Sequence, residues 1–435
     1  MKQLESSLGQ KMHNLCKELF PICRSITGDG FRQSLIILQK QLPALKVFEV
    51  ATGTPCFDWT IPKEWNIRNA YIIDPAGNKI CDFEQSNLHI MGYSTPVNKK
   101  VSLEELQAHL YSLPEQPDAI PYITSYYKER WGFCITHQQR SMLMEGEYQV
   151  VIDSSLEDGY LTYGELIIPG ESEQEVFLST YLCHPSMANN ELSGPVVTTF
   201  LAKWIASMAN RKYTYRIVII PETIGSITYL SRHYKTMQER TIAGFNVSCV
   251  GDDRTYSYLA SRNGNTLADK VAKHTLKHIY PNFDCYSYLA RGSDERQYCS
   301  PGIDLPVCSI MRSKYACYPE YHTSLDDLSL VTPSGLQGSF NVLQKSILCI
   351  EMNEVLKLSV SCEPQLGKRG LYPTISTKSS GAQVRDMMNF LAYCDGKHSA
   401  LQIAEIIDSP LWELAEMITK IKSEGLLTTV VCSEN

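Results

Sequence analysis

The sequence predicts an α/β fold: a mixed central sheet flanked by helices, carrying an inserted, mostly β subdomain and a C-terminal winged-helix module. Three observations predict it. From about 160 to 350, short apolar runs alternate with segments of helical period, the pattern of a sheet covered by helices. From 55 to 150 the texture changes to tryptophan, β-branched residues and turn signals such as "DPAGN". Beyond 366, three helical patterns precede the short apolar run "LLTTVV".

Taken in order, residues 4–20 and 29–42 place apolar side chains at three- and four-residue intervals and are expected to be helices. "KVFEVATGT" alternates like a strand. Within the insert, "FDWTIPKEWNIRNAYIIDPAGNKICDF" reads as short strands and turns, and "YSLPEQPDAIPYITSYYKERWGF" is aromatic and punctuated by proline. "EVFLSTYL" is then expected as a strand and "SGPVVTTFLAKWIASMAN" as a helix capped by Ser193. "YRIVIIP" and "GSITYLSRHYKTM" repeat that pair, as do "GFNVSCV" and "NTLADKVAKHTLKHI". The strand "LPVCSIM" and the long helix "SGLQGSFNVLQKSILCIEMNEVLKL" close the series.

At 435 residues the chain exceeds one ordinary core. The expected division is 1–54 with 151–365 as the main domain, 55–150 as the insert and 366–435 as the winged-helix-like domain. A net charge of -7 argues against a general affinity for nucleic acid or anionic membrane. The tail carries seven basic against eight acidic residues, and its third helix bears Glu413 and Glu416, so it is expected to pack or contact protein rather than read DNA. No run of about 18 apolar residues predicts a membrane span. "MKQLESSLGQ" lacks the apolar run of an export signal, so a cytoplasmic protein is expected. Fifteen cysteines, irregularly spaced and without a C-x-x-C pair, then read as reduced, mostly buried thiols.

Polar residues follow predicted strands almost at once: His184 after "EVFLSTYLC", Glu222 after "YRIVIIP" and Asp252 after "GFNVSCVG". His322 lies in "YPEYHTSLDDLSL", after the strand "LPVCSIM". The carboxyl ends of strands are where α/β sheets bind ligands. Two histidines and carboxylates gathered there suit a catalytic zinc. Singly, each residue serves equally well as a loop hydrogen-bonder or cap. Cys183 beside His184 is rejected as a thiol–imidazole pair, because neighbours on an extended chain point apart. H-E-x-x-H, G-x-S-x-G and glycine-rich phosphate loops are absent.

The order of "CHPSMANNELSGP", "PETIGSITYL", "GSDERQYCSPGIDLPV" and "YHTSLDDL" resembles the zinc aminopeptidase superfamily of co-catalytic metallopeptidases. More narrowly it is similar to a bacterial aminopeptidase-like branch with an inserted β subdomain and a C-terminal winged helix. The resemblance spans nearly the whole chain. It implies metal ligation by His184, Asn190 (where a bridging Asp is usual), Asp252 and His322, with Glu222 as general base. Three positions depart from the pattern: Asn190, Thr223 in place of a second Glu, and Ser186 in place of the Asp that orients the first histidine. Two lost carboxylates leave too little negative charge to hold two dications, so one zinc is expected. Glu191 is a substitute ligand. Arg291, Arg296 and Tyr298 are candidates for gripping a substrate carboxylate or polarising a carbonyl, against the bland reading that the arginines pair with Asp294 and Glu295.

The expected activity is metal-dependent amide or peptide hydrolysis, most simply by an aminopeptidase. Self-association is left open. The competing reading is a decayed peptidase fold whose aromatic insert (Trp59, Trp65, Tyr122, Tyr126, Tyr127, Trp131) binds a peptide or glycan. A DNA-reading regulator is a third.

Overall fold

The computed structural model describes residues 7–371 and 378–430. Two compact units emerge: 1–269 with 284–341, and 270–283 with 342–435.

The first unit is built on an eight-stranded sheet. Its strands are β1 (Lys46–Ala51), β2 (Tyr160–Ile168), β3 (Ser172–Tyr181), β4 (Tyr213–Ile220), β5 (Thr241–Asn246), β6 (Ser257–Leu259), β7 (Asp284–Tyr286) and β8 (Val307–Met311). In space they run β1-β2-β4-β3-β5-β8-β6-β7. The middle is parallel: β3 pairs with β4 and with β5, and β5 with β8. The edges bring antiparallel pairs, β1 with β2 and β8 with β6. Strands buried on both faces need continuous apolar runs, and "RIVII" at the end of β4 is buried throughout. Helices α1 (Ser193–Ser207) and α2 (Ile224–Arg240) follow β3 and β4, as the alternation required.

One detail differs from the expected capping. Ser193 is not a cap, because helix α1 is entered through a five-residue π-helical turn, Ala188–Leu192. The hydroxyl of Ser193 donates to the carbonyl of Asn189 and accepts from the backbone N–H of Val250 at 2.9 Å, so it ties the turn to the neighbouring strand's exit. Such π turns cluster at functional sites.

The insert carries its own antiparallel sheet of strands 79–80, 64–73, 147–157 and 97–102. The "DPAGN" signal makes its first hairpin, where Asp74 accepts from the N–H groups of Ala76 and Asn78 at 2.9 and 2.7 Å. Strand 147–157 runs past the expected boundary at 150, as its ladder with 64–73 continues to Glu64–Glu157.

In the second unit, strand 355–358 lies between 395–399 and 427–429. Helices 378–392, 400–406 and 415–423 accompany this sheet. The module therefore starts before 366, with a strand that the sequence reading had merged into the preceding helix. Among the described residues no helix is long and apolar enough to cross a membrane, and each described cysteine is a free thiol.

Candidate metal centre

His184 stands three residues beyond the end of β3, where the chain has left the sheet. Its ring is clamped from one side: Nδ1 lies 2.5 Å from an oxygen of Glu191, which is wholly buried in the π turn. The other oxygen of Glu191 accepts the backbone N–H of Cys183. A carboxylate on Nδ1 fixes the tautomer and leaves Nε2 as the free donor atom, the arrangement that supports a histidine ligand. Burial opposes charge on this ring, but Glu191 outweighs it and holds the His184 pKa above its ordinary value. The orienting role thus falls to Glu191 and not to position 186, whose Ser186 hydroxyl donates to the carbonyl of Phe20 at 3.3 Å. From behind, the buried Arg24 donates to the His184 carbonyl at 3.1 Å and to that of Leu19 at 2.7 Å. Sequence reading missed Arg24, which sits in an irregular stretch with no local pattern.

On the Nε2 side, an oxygen of Glu222 lies 3.7 Å away. Two ligands on one tetrahedral zinc sit roughly 3.3–3.5 Å apart, given bonds of about 2.0–2.2 Å. Burial raises the Glu222 pKa, partly offset by the positive charge of His184. The His322 ring lies beside them, its centroid 5.3 Å from that of His184. It is held at φ 59°, stacks on Tyr321 at 3.8 Å, and its Nε2 is buried without a hydrogen-bond partner. Burial, helped by His184, pushes the His322 pKa down to about 3, so the ring stays neutral and able to ligate.

Asn190 lies in the π turn, next to Glu191. One end of its amide meets the Tyr181 hydroxyl at 3.1 Å, and its Nδ2 is buried without a partner. Turning the amide over would let the tyrosine accept and would leave the oxygen free, the form a cation selects.

Asp252 is placed differently. Its carboxylate accepts from Asn189 Nδ2 at 3.0 Å, from the N–H and hydroxyl of Ser313 at 3.0 and 2.9 Å, and from the Arg254 N–H at 2.9 Å. Four donors saturate it, and it meets neither histidine. It anchors the π turn. Asp326 does the same work by accepting the N–H groups of Asn189 and Asn190.

The arginine loop is also sorted. Tyr298 is fully buried with its hydroxyl 2.7 Å from that of Ser179, so it belongs to the core. Arg291 packs over Tyr288 at 4.6 Å, away from the histidines. Arg296 donates to the Thr223 hydroxyl and draws the Glu222 pKa down, so of the three it alone reaches the cluster. Neither arginine pairs with Asp294 or Glu295. Asp294 accepts from the Thr223 N–H at 2.7 Å, and Glu295 accepts from Asn246 at 3.0 Å and from the Gly292 N–H at 2.9 Å.

Cys183 corrects one argument. Its Sγ lies 3.5 Å from His184 Nδ1, since strand alternation no longer holds past Tyr181. The thiol still makes a poor nucleophile: burial raises its pKa well above 9.0, and Glu191 already occupies Nδ1. Cys183, His184 and Glu191 form a potential ligand group of their own. The short Nδ1–carboxylate contact leaves no room for an ion between them, which favours the Nε2 side. A cavity of about 960 Å³ includes Ser186 and Ser324 in its wall but none of His184, Glu222 and His322.

The chain is similar to several known proteins. Residues 354–429 match the model of a winged helix-turn-helix. A curated protein of Clostridium acetobutylicum, named a putative polysaccharide biosynthesis protein with aminopeptidase-like domain, is 46% identical over 404 residues, 92% of either chain. The crystal structure of a putative peptidase from the same organism superposes with a TM-score of 0.91 at 43% identity, covering 97% of this chain and 96% of that one. A zinc aminopeptidase from Bacillus subtilis matches with a TM-score of 0.57 at 13% identity, over 79% of this chain and 94% of that one, and shares the fold. A family model described as a domain of unknown function, DUF4910, matches residues 13–353, and the chain belongs to that family, with an aminopeptidase-like fold.

Proposed function

We propose that this protein is a single-zinc amide hydrolase of aminopeptidase type. The observation that carries the reading is the Glu222 carboxylate 3.7 Å from His184 Nε2, with the His322 ring beside that of His184 and its Nε2 buried without a partner. His184 and His322, with Asn190 once its amide is turned, would hold the ion. Asp252 supports them through Asn189 and is not a ligand in this reading. A zinc ion held there would supply Lewis acidity, polarising a carbonyl and easing the ionisation of water toward neutral pH.

The chain's own groups do the rest. Glu222 takes a proton from water as its oxygen bonds to the carbonyl carbon and the C=O π pair moves onto oxygen. As the C–N bond breaks, Glu222 returns that proton to the leaving amine. A carboxyl whose pKa is raised by burial suits both halves of the task. His322, kept neutral, does not compete for the proton. The relative named for polysaccharide biosynthesis directs the substrate screen to amides borne on sugars as well as to peptides.

Elemental analysis tests the assignment. About one zinc per chain is expected in the parent and little in His184→Ala and His322→Ala. Glu222→Gln should keep its zinc and lose roughly 10²–10⁴-fold in turnover, the usual worth of a general base. A parent that takes up no zinc when supplied with it would instead favour a binding protein. A fully active Glu222→Gln would remove the base assignment.

A further inference from the structure

The insert reaches the metal centre directly. The ring of Tyr122 lies 4.9 Å from that of His184 and 5.3 Å from that of His322, so three rings enclose the cluster. Its hydroxyl meets that of Tyr126 at 2.7 Å. The Tyr126 hydroxyl also bonds the Thr124 side chain. Whichever phenol donates within the tyrosine pair, that contact uses one of the two phenolic hydrogens.

We propose that the insert forms part of the active site, and that the paired hydroxyls of Tyr122 and Tyr126 present the donor that receives the charge developing on the substrate carbonyl oxygen. This rests on the amide-hydrolase reading. A donor fixed in a dry site stabilises an oxyanion without reorganising during reaction.

Several facts support it. Nearby tyrosines are engaged elsewhere: Tyr181 with Asn190, Tyr318 with Asp326 and Tyr298 with Ser179. Tyr321 stacks on His322, and its hydroxyl, without a hydrogen bond among the described residues, is the rival donor. The Tyr pair is also held in register with the His322 loop. The Tyr122 N–H donates to the His322 carbonyl at 2.9 Å and Ser324 N–H to the Ile120 carbonyl at 2.9 Å, with Pro121 bridged to Thr323. The segment that carries the pair thus braces the backbone of a ligand.

The test uses the full chain loaded with zinc and two probes, measured by calorimetry. Acetohydroxamate places an anionic oxygen beside the metal, whereas imidazole does not. Tyr126→Phe should retain about one zinc per chain and its imidazole affinity but bind acetohydroxamate roughly tenfold more weakly, as for a lost hydrogen bond to a charged group. Tyr122→Phe, which keeps the Tyr126 hydroxyl but removes its partner, should show a smaller loss. Equal acetohydroxamate affinity in Tyr126→Phe and parent, or a loss confined to Tyr321→Phe, overturns the proposal while leaving the zinc site standing. A parent that takes up no zinc sinks both.

Discussion

Glu191 shows how much of this site hangs on one buried carboxylate. It touches the His184 ring and the Cys183 backbone at once, and it is fully shielded from solvent. Glu191→Gln preserves its shape but removes the charge that favours the Nε2-exposed tautomer. Zinc affinity is expected to fall about 10–100-fold, the usual loss for such an outer partner, as read by competition with a chelator. An unchanged affinity would mean that Nδ1, and not Nε2, faces the ion. The nearness of His184, His322 and Glu222 was legible in the sequence because each follows an apolar strand. Glu191 was legible only as a substitute ligand, since nothing linear says that a π turn swings it behind the ring. Asp252 misled for the same reason: its position past a strand was right, but Asn189, Ser313 and Arg254 occupy its oxygens.

The elements explain why small residues stand where they do. Gly194 opens helix α1 against the exits of β3 and β5, and a Cβ there would come within 2.3 Å of the Val247 carbonyl oxygen and 2.6 Å of the Thr180 hydroxyl. Gly194→Ala must push the helix or the strand aside, and overpacking of this kind costs about 1–3 kcal/mol. A lowered denaturant midpoint is expected, with weaker zinc uptake because the π turn shifts too. A variant as stable as the parent would contradict the packing described. The strand–helix alternation was readable because periodicities of two and 3.6 are local properties. The order of strands in the sheet and the start of the winged-helix module at strand 355–358 were not, since both depend on pairing across the chain.

At the scale of the molecule, the second unit carries a titrating lock of its own. His274 is buried between the Glu405 carboxylate at Nδ1 and the Leu411 N–H, which donates to Nε2 at 3.0 Å. Both nitrogens are therefore used, and this cluster with His278 is a clamp. Burial, only partly offset by Glu405, lowers the His274 pKa below its ordinary 6.5. The unfolded chain then binds the extra proton first, so stability falls as pH drops through about 6.5 toward the folded value. Urea midpoints at pH 7.5 and 5.5 should differ in the parent and differ less in His274→Gln; an unaltered difference would clear this histidine of the effect.

The pairing of residues 120–124 with the His322 loop has a consequence for assembly. These backbone pairings tie the His322 loop to the insert, so neither settles without the other. Docking of the insert and ordering of the His322 loop are then coupled steps of folding.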